Sequence, residues 1–401
     1  MRILVINSGS SSIKFVLYQM EMENATRLLS GLIERIGQTN CTTLFRQHSS
    51  TGEISEQPST CPSIDHAAGL NTIMDYLQSK LGSLNSIDAI GHRVVHGGET
   101  FKSPTLITDD VIAGISTMIP LAPLHNPANL AGIQAMISRC PQIPNVAIFD
   151  TAFFHTLPQY AYRYALPDEL CQSHHLRRFG FHGISHQHVA QTAADILEQP
   201  LDTLRIISLH LGNGASAAAI HHGNCIDTSM GMTPLEGLIM GTRGGDIDPG
   251  VLLYLIKQNN MSSDDVDTLL NQHSGLKGIC GVNDMRDIHN LANEGNKQAR
   301  LAIDMFCYRI CKYIGAYAVA LGGLDALVFT AGIGENDPNI RYTICSRLSM
   351  LGIALDKTQN ETQNGNREIN SPDSLVKVLV IAGDEELEIA RQTVRLIVRN
   401  T

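Results

Sequence analysis

The chain has 401 residues, 43% of them apolar and 17% charged, a composition typical of folded globular protein and a length that calls for two domains rather than one core. Lys and Arg number 29 against 39 Asp and Glu, a formal net charge of −10, and Trp is absent. That balance excludes the basic stripe and the aromatic platform that hold nucleic acid, and no stretch is long and apolar enough to span a bilayer.

Residues 2–7 form a short aliphatic run that reads as a buried strand. It breaks at Ser8-Gly9-Ser10-Ser11-Ser12 and resumes as a second strand over 13–18, giving a hairpin. The apolar run at residues 1–6 is too short for a signal peptide. Nine scattered cysteines without a Cys-x-x-Cys pair suit a reducing compartment, with Cys307 and Cys311 read as buried thiols, so a cytoplasmic location is expected. The polar stretches 48–63 and 356–374 read as surface loops. Residues 145–150 read as an apolar strand ending in an acid. Residues 204–226 repeat the opening device: an aliphatic run, a break at Gly212-Asn213-Gly214-Ala215-Ser216, and a second run. Two such hairpins point to a duplicated architecture.

Helical periodicity follows over 299–321. A strand over 326–330 leads into Ala331-Gly332-Ile333-Gly334-Glu335-Asn336 and a helix. A strand over 376–381 leads into Gly383-Asp384-Glu385-Glu386 and a final helix. This alternation is α/β, with ligands expected at the carboxyl ends of strands.

Four small-residue turns follow aliphatic strands, at 7–12, 212–216, 331–336 and 382–384. Such turns expose backbone N–H groups and let a phosphate approach without a Cβ clash. There is no Gly-x-x-x-x-Gly-Lys-[Ser/Thr] run, and Gly332-x-Gly334 lacks the third glycine of a dinucleotide fingerprint. Arg93 lies in Gly91-His92-Arg93-Val94-Val95-His96-Gly97-Gly98, and Arg243 in Met240-Gly241-Thr242-Arg243-Gly244-Gly245-Asp246. A guanidinium flanked by glycine can meet a bulky anion closely, and its fork matches the oxygens of a transferring phosphoryl group. The residues alone leave a structural salt bridge open as the other fate of each arginine. His182 and His186 have the spacing of a zinc helix but lack the adjacent Glu, which disfavours zinc and leaves phosphoryl stabilisation or a plain buried histidine. Asp150, Asp227 and Glu385 stand at strand ends or a helix start, where carboxylates could hold a magnesium–nucleotide complex or simply cap a helix.

The stretches 5–15, 91–98, 121–126, 149–153, 178–186, 210–216, 227–249 and 329–336 together resemble the acetate kinase family, within the acetate and sugar kinase, heat-shock and actin superfamily. The resemblance implies two similar actin-like (ribonuclease H-like) domains with a nucleotide cleft between them. The first would comprise 1–150 plus 386–401, and the second, residues 151–385, would carry nucleotide binding and dimerisation. It implies transfer of the γ-phosphoryl group of ATP to acetate, Mg²⁺ as cofactor with Mn²⁺ able to substitute, and a homodimer. By the same resemblance Arg93, Asp150, His182 and Arg243 would be catalytic. Asn7 and Glu385 would organise the metal. Ser12, Lys14, His210, Asn213 and Gly214 would lie near the phosphates, and Asp284, Arg286, Gly332, Ile333 and Asn336 would form the adenosine pocket. Arg93, Val95, Leu124, Phe181 and Pro234 would receive acetate. A valine at position 95 favours acetate over propionate, where a smaller residue would leave room for the longer acid. Two departures stand out: Ala382-Gly383 in place of Pro-Thr, and Gly244 where serine is frequent.

Overall fold

A computed structural model describes residues 1–9, 11–21, 24–49, 54–61, 64–362 and 365–400. Ser10, in the first of the four expected turns, lies outside the described residues, as do parts of the expected loop 48–63. The chain divides into two compact units, Met1–Phe153 with Asp384–Thr401, and Phe154–Gly383.

The first unit is built on a sheet of eight strands among the described residues: β1 (Arg2–Ser8), β2 (Ser12–Met20), β3 (Ala25–Glu34), β4 (Cys41–His48), β5 (Ile54–Cys61), β6 (Ala89–Val94), β7 (Thr105–Leu106) and β8 (Asn145–Phe149). Their order is β5-β4-β3-β2-β1-β6-β8-β7. The serine-rich turn joins β1 and β2 as an antiparallel hairpin, with Asn7 opposite Lys14, while β1, β6 and β8 run parallel. Parallel strands end at the same edge, so Asn7, Arg93 and Asp150 share it.

The second unit carries β9 (Arg205–Leu211), β10 (Ala215–His221), β11 (Asn224–Thr228), β12 (Ala326–Thr330), β13 (Arg367–Glu368) and β14 (Lys377–Val380), ordered β11-β10-β9-β12-β14-β13. Here too an antiparallel hairpin precedes two parallel partners, since β9 and β10 are antiparallel and β9, β12 and β14 parallel. The series β3-β2-β1-β6-β8 and β11-β10-β9-β12-β14 are therefore one topology used twice, as the repeated hairpin device predicts.

Continuous burial of β12, and of β8, explains why their sequences are unbroken apolar runs rather than alternations. The helix Glu385–Asn400 packs across β1 and β6 of the first unit. It can do so because residue 91 is glycine: a Cβ there would strike Thr393 Oγ1 and stand 2.8 Å from Ile389 Cγ2. The close approach brings Glu385, the first residue of that helix, to the strand edge.

Two expected loops contain structure. Residues 54–61 form β5, antiparallel to β4. Its residues Ile54 to Thr60 are exposed, so no buried face imprints an alternating pattern, and Pro58 is tolerated at a sheet edge. Within 356–374, Asp356 caps the short helix Lys357–Glu361, and β13 pairs with β14. The Ala331–Asn336 segment is itself a short helix, followed by a second, Pro338–Cys345.

Candidate active site

In the first unit, Arg93 at the end of β6 meets Asp150 just past β8. Arg93 Nη2 donates to Asp150 Oδ2 at 2.6 Å, and Nε donates to both carboxylate oxygens at 3.2 Å. Glu385 Oε2 stands 3.6 Å from Arg93 Nε. Asp150 is only 2% exposed. Burial pushes its carboxyl up to about 6; Arg93 pulls against that shift and Glu385 adds to it. The salt-bridge reading of Arg93 is realised in its ion pair with Asp150, at the strand edge where α/β proteins bind ligands. Lys14 Nζ lies 2.8 Å from Glu386 Oε2. The Asn7 side chain, half-buried at the end of β1, makes no hydrogen bond among the described residues.

Val95 is buried, whereas Leu124 is 63% exposed and takes no part in the core of this unit. The backbone around Val95 is held by side chains that the motif reading did not single out. Asn129 accepts from Val95 N at 3.0 Å and donates to Ser8 O at 2.7 Å, tying β1 to the β6 end. Asn126 accepts from His96 N, and Thr151 Oγ1 accepts from Gly97 N. Buried asparagines inside the helix Asn126–Arg139 were the available signal, because such polar groups require partners.

In the second unit, His182 precedes the helix Gly183–Ile196 with a left-handed φ of 59°. Its Nδ1 pairs with Ser216 Oγ at 2.9 Å, and its ring stacks on His210 at 4.2 Å between centroids. Ser216 also pairs with His186 Nε2 at 2.8 Å, and His186 Nδ1 with Ser208 Oγ at 2.9 Å. Burial, then His210, holds His186 far below the usual histidine range, so it is neutral. His186 is thus a buried histidine that orients His182 through Ser216.

Arg243 is the counterpoint to Arg93. Its Nη1 donates to Pro234 O at 2.6 Å, and no carboxylate pairs with it among the described residues. Burial lowers its pKa. A half-buried guanidinium without a counter-ion is an anion site in waiting. Gly214 keeps that site open: a Cβ there would stand 2.9 Å from Arg243 Nη2 and 3.4 Å from His182 Nε2. The variant Gly214→Ala should therefore lower turnover about tenfold or more by crowding Arg243 and His182, with stability changed by less than about 1 kcal/mol, since the atom the methyl meets most closely is the far end of a flexible arginine side chain that can give way. Steady-state kinetics beside thermal unfolding checks this.

A cavity of about 750 Å³ in the same unit is lined by Asn213, Asp284, Arg286, Gly332, Ile333 and Asn336, among others, gathering six of the residues expected for nucleotide. A Cβ on Gly332 would find nothing within 4 Å, so internal packing does not demand glycine there. Arg286, 88% exposed, forks onto Asp284 at 2.6 and 2.9 Å, and holds that carboxyl down at about 2. Phe181 is buried. Asp227 makes a local hydrogen bond to Thr228 N, and burial raises its pKa. At Gly244 a Cβ would meet only Ser274 Cβ, at 3.6 Å, and at Gly383 nothing closer than 3.5 Å, so neither glycine is sterically required.

No helix among the described residues is long and apolar enough to cross a membrane. The chain is 50% identical over 404 residues to an acetate kinase of Syntrophobacter fumaroxidans, covering 100% of this chain and 98% of the relative. Among solved structures it is similar to an acetate kinase of Porphyromonas gingivalis (43% identity, TM-score 0.90, 99% of each chain). It is equally similar to a propionate kinase of Francisella tularensis (43% identity, TM-score 0.91, 98% of this chain and 99% of that one). A sequence profile matches residues 2–391, and with these identities the two-sheet fold and the residues gathered at its strand ends have one reading: the chain belongs to the Acetokinase family.

Proposed function

We propose that this protein is an acetate kinase, which transfers the γ-phosphoryl group of ATP to acetate and yields acetyl phosphate and ADP, reversibly. The observation that carries the reading is Arg243, a half-buried guanidinium with no carboxylate partner among the described residues, beside His182 and a glycine that leaves room for a tetrahedral anion. A carboxylate nucleophile is already ionised near neutral pH, so the chemistry needs no general base. It needs alignment and neutralisation of charge on the phosphoryl oxygens.

The roles divide accordingly. Attack by an acetate oxygen in line with the departing ADP would form one P–O bond as the other breaks, with Arg243, His182 and Arg93 meeting the equatorial oxygens. Asp150 keeps Arg93 extended and oriented. Ser12, Lys14, His210, Asn213 and Gly214 serve the phosphates, and Asp284, Arg286, Gly332, Ile333 and Asn336 the adenosine. Residues 151–385 would carry nucleotide binding. Asn7 and Glu385 offer oxygen donors of the kind that hard cations take, and Mg²⁺ commonly keeps water and phosphate as its other ligands. Bound there, it would supply neutralisation of the phosphate charge.

Val95, Leu124, Phe181 and Pro234 are assigned to the methyl end of acetate. Val95→Ala should raise the efficiency on propionate relative to acetate roughly tenfold, since one methylene is worth about 1–3 kcal/mol of discrimination. The ratio of kcat/KM values on the two acids measures it. A hydroxamate assay with acetate, propionate and butyrate and Mg-ATP tests the whole reading. Acetyl hydroxamate is the expected dominant product, and ATP consumption independent of any carboxylate would overturn it.

A homodimer is the proposed assembly. The helix Pro249–Gln258 buries none of its residues within the chain, and leaves Val251, Leu253, Tyr254 and Ile256 exposed, an apolar surface suited to a second copy. Sedimentation should give twice the chain mass. The cytoplasm is the proposed location, in keeping with free thiols at Cys140, Cys171, Cys225, Cys307 and Cys345, all buried.

A further inference from the structure

Three consecutive acids open the last helix, and each meets a cation from a different strand. Asp384 Oδ2 accepts from Arg27 Nη2 of β3 at 2.6 Å, Glu385 lies 3.6 Å from Arg93 of β6, and Glu386 lies 2.8 Å from Lys14 of β2. The Arg27–Asp384 pair has no place in the phosphoryl chemistry, yet it adjoins the residue that stands beside Arg93.

Asp384 is held from several directions. Its Oδ1 accepts from Leu387 N at 3.1 Å, which caps the helix, and from Tyr18 Oη at 3.1 Å. Tyr18 is buried, and burial, then Asp384, raises its pKa, so the phenol keeps its proton and donates it. Arg27 Nε donates to Tyr18 Oη at 3.3 Å and closes the triangle. Capping alone would use one carboxylate oxygen. Here the other oxygen is occupied by an arginine 357 residues away in sequence, and a buried tyrosine adds a third contact.

Immediately before Asp384 stands Ala382-Gly383. Glycine restrains the backbone least of all residues, and Gly383 is not there for want of space. The entry to the helix is thus loose by composition and tight by tertiary contact. We propose that Arg27, acting through Asp384 and Tyr18, is a positioning residue that sets where Glu385 stands beside Arg93. The proposal rests on the acetate kinase reading for what Glu385 does, and on geometry alone for how it is held.

The test uses the full chain with Arg27→Met and Arg27→Lys. In the metal-free protein, amide hydrogen exchange at residues 385–388 should quicken roughly three- to tenfold in R27M, and stay within about twofold of wild type in R27K, while the helix Asn126–Arg139 is unchanged. In the hydroxamate assay R27M should raise the Mg²⁺ concentration for half-maximal rate by a similar factor. The KM for acetate and the calorimetric affinity for metal-free ADP should not move. Unchanged exchange and unchanged Mg²⁺ dependence in R27M would overturn the proposal, as would faster exchange spread over the whole first unit, which marks a purely structural arginine. Wild-type protein that makes no acetyl phosphate defeats the functional reading instead, and leaves the exchange measurement to decide the positioning.

Discussion

Arg243→Ala is expected to lower kcat by about 10²-fold or more while leaving the stability of the protein within about 1 kcal/mol of wild type. Arg93→Ala should lose turnover by a similar factor, and should also destabilise by about 3 kcal/mol. The difference follows from what each guanidinium leaves behind. Arg243 gives up one hydrogen bond to Pro234 O and no ion pair among the described residues. Removing a partly buried cation that no carboxylate neutralises also relieves its own desolvation. Arg93 by contrast leaves Asp150, almost wholly buried, without its bidentate partner, and Glu385 beside it. The same chemistry should therefore be lost by two routes that calorimetry separates. Turnover in both variants within a factor of a few of wild type would refute the assignment of these arginines.

Acid should unfold the protein steeply between pH 6.5 and 4. His92 and His96 are buried and pushed down to about 4, and His186 lies far below its usual range, in each case because burial disfavours the charged imidazole. All three are neutral in the fold. In the unfolded chain each takes up a proton as the pH falls through about 6.5, so stability is intact above that value and declines below it, until the folded-state values are reached. Asp150 works in the opposite sense. Its carboxyl is held near 6 in the fold, so from about pH 6 down to 4 the native state binds a proton that the unfolded chain does not yet hold. Three buried histidines outweigh that one carboxyl, so unfolding takes up protons on balance and stability falls with acid, each proton in excess contributing about 1.36 kcal/mol per pH unit. Urea midpoints at pH 7, 6 and 5 give the slope. His92→Gln should make the curve shallower by about one proton, whatever its effect at pH 7. Stability that stays level from pH 7 to 5 would contradict this account of the buried histidines.

The substrate preference rests on the smallest margin. Solved structures of an acetate kinase and of a propionate kinase are similar to this chain at the same identity, 43%. A single methylene changes little in backbone geometry, and the discrimination it permits is about one to two orders of magnitude in kcat/KM. Val95 is held by Asn129 from the helix behind it, so its position is as fixed as the strand edge that carries it.

What could be read along the chain is whatever depends on near neighbours. Apolar runs such as 326–329 mark strands buried on both faces, because successive side chains are out of water whichever way they point. The small-residue breaks after residues 7 and 211 mark hairpins, and their recurrence exposes a topology used twice, which the two sheets carry in the same strand order. Glycines around Arg93, Arg243 and Asn213 advertise close approach before any contact is known. Other features have no local signature. β5 is exposed and carries no alternation, so only its ladder with β4 makes it a strand. Whether an arginine is spent on a carboxylate depends on which chain segment packs beside it, and Arg93 and Arg243, so alike in their glycine-rich surroundings, differ on that point alone. The hold on Glu385 is the extreme case, since Arg27 and Asp384 meet across 357 residues. Periodicity and turn chemistry act over a few residues. Neutralising a charge acts over a few ångströms, and only the packed chain decides which residues those ångströms contain.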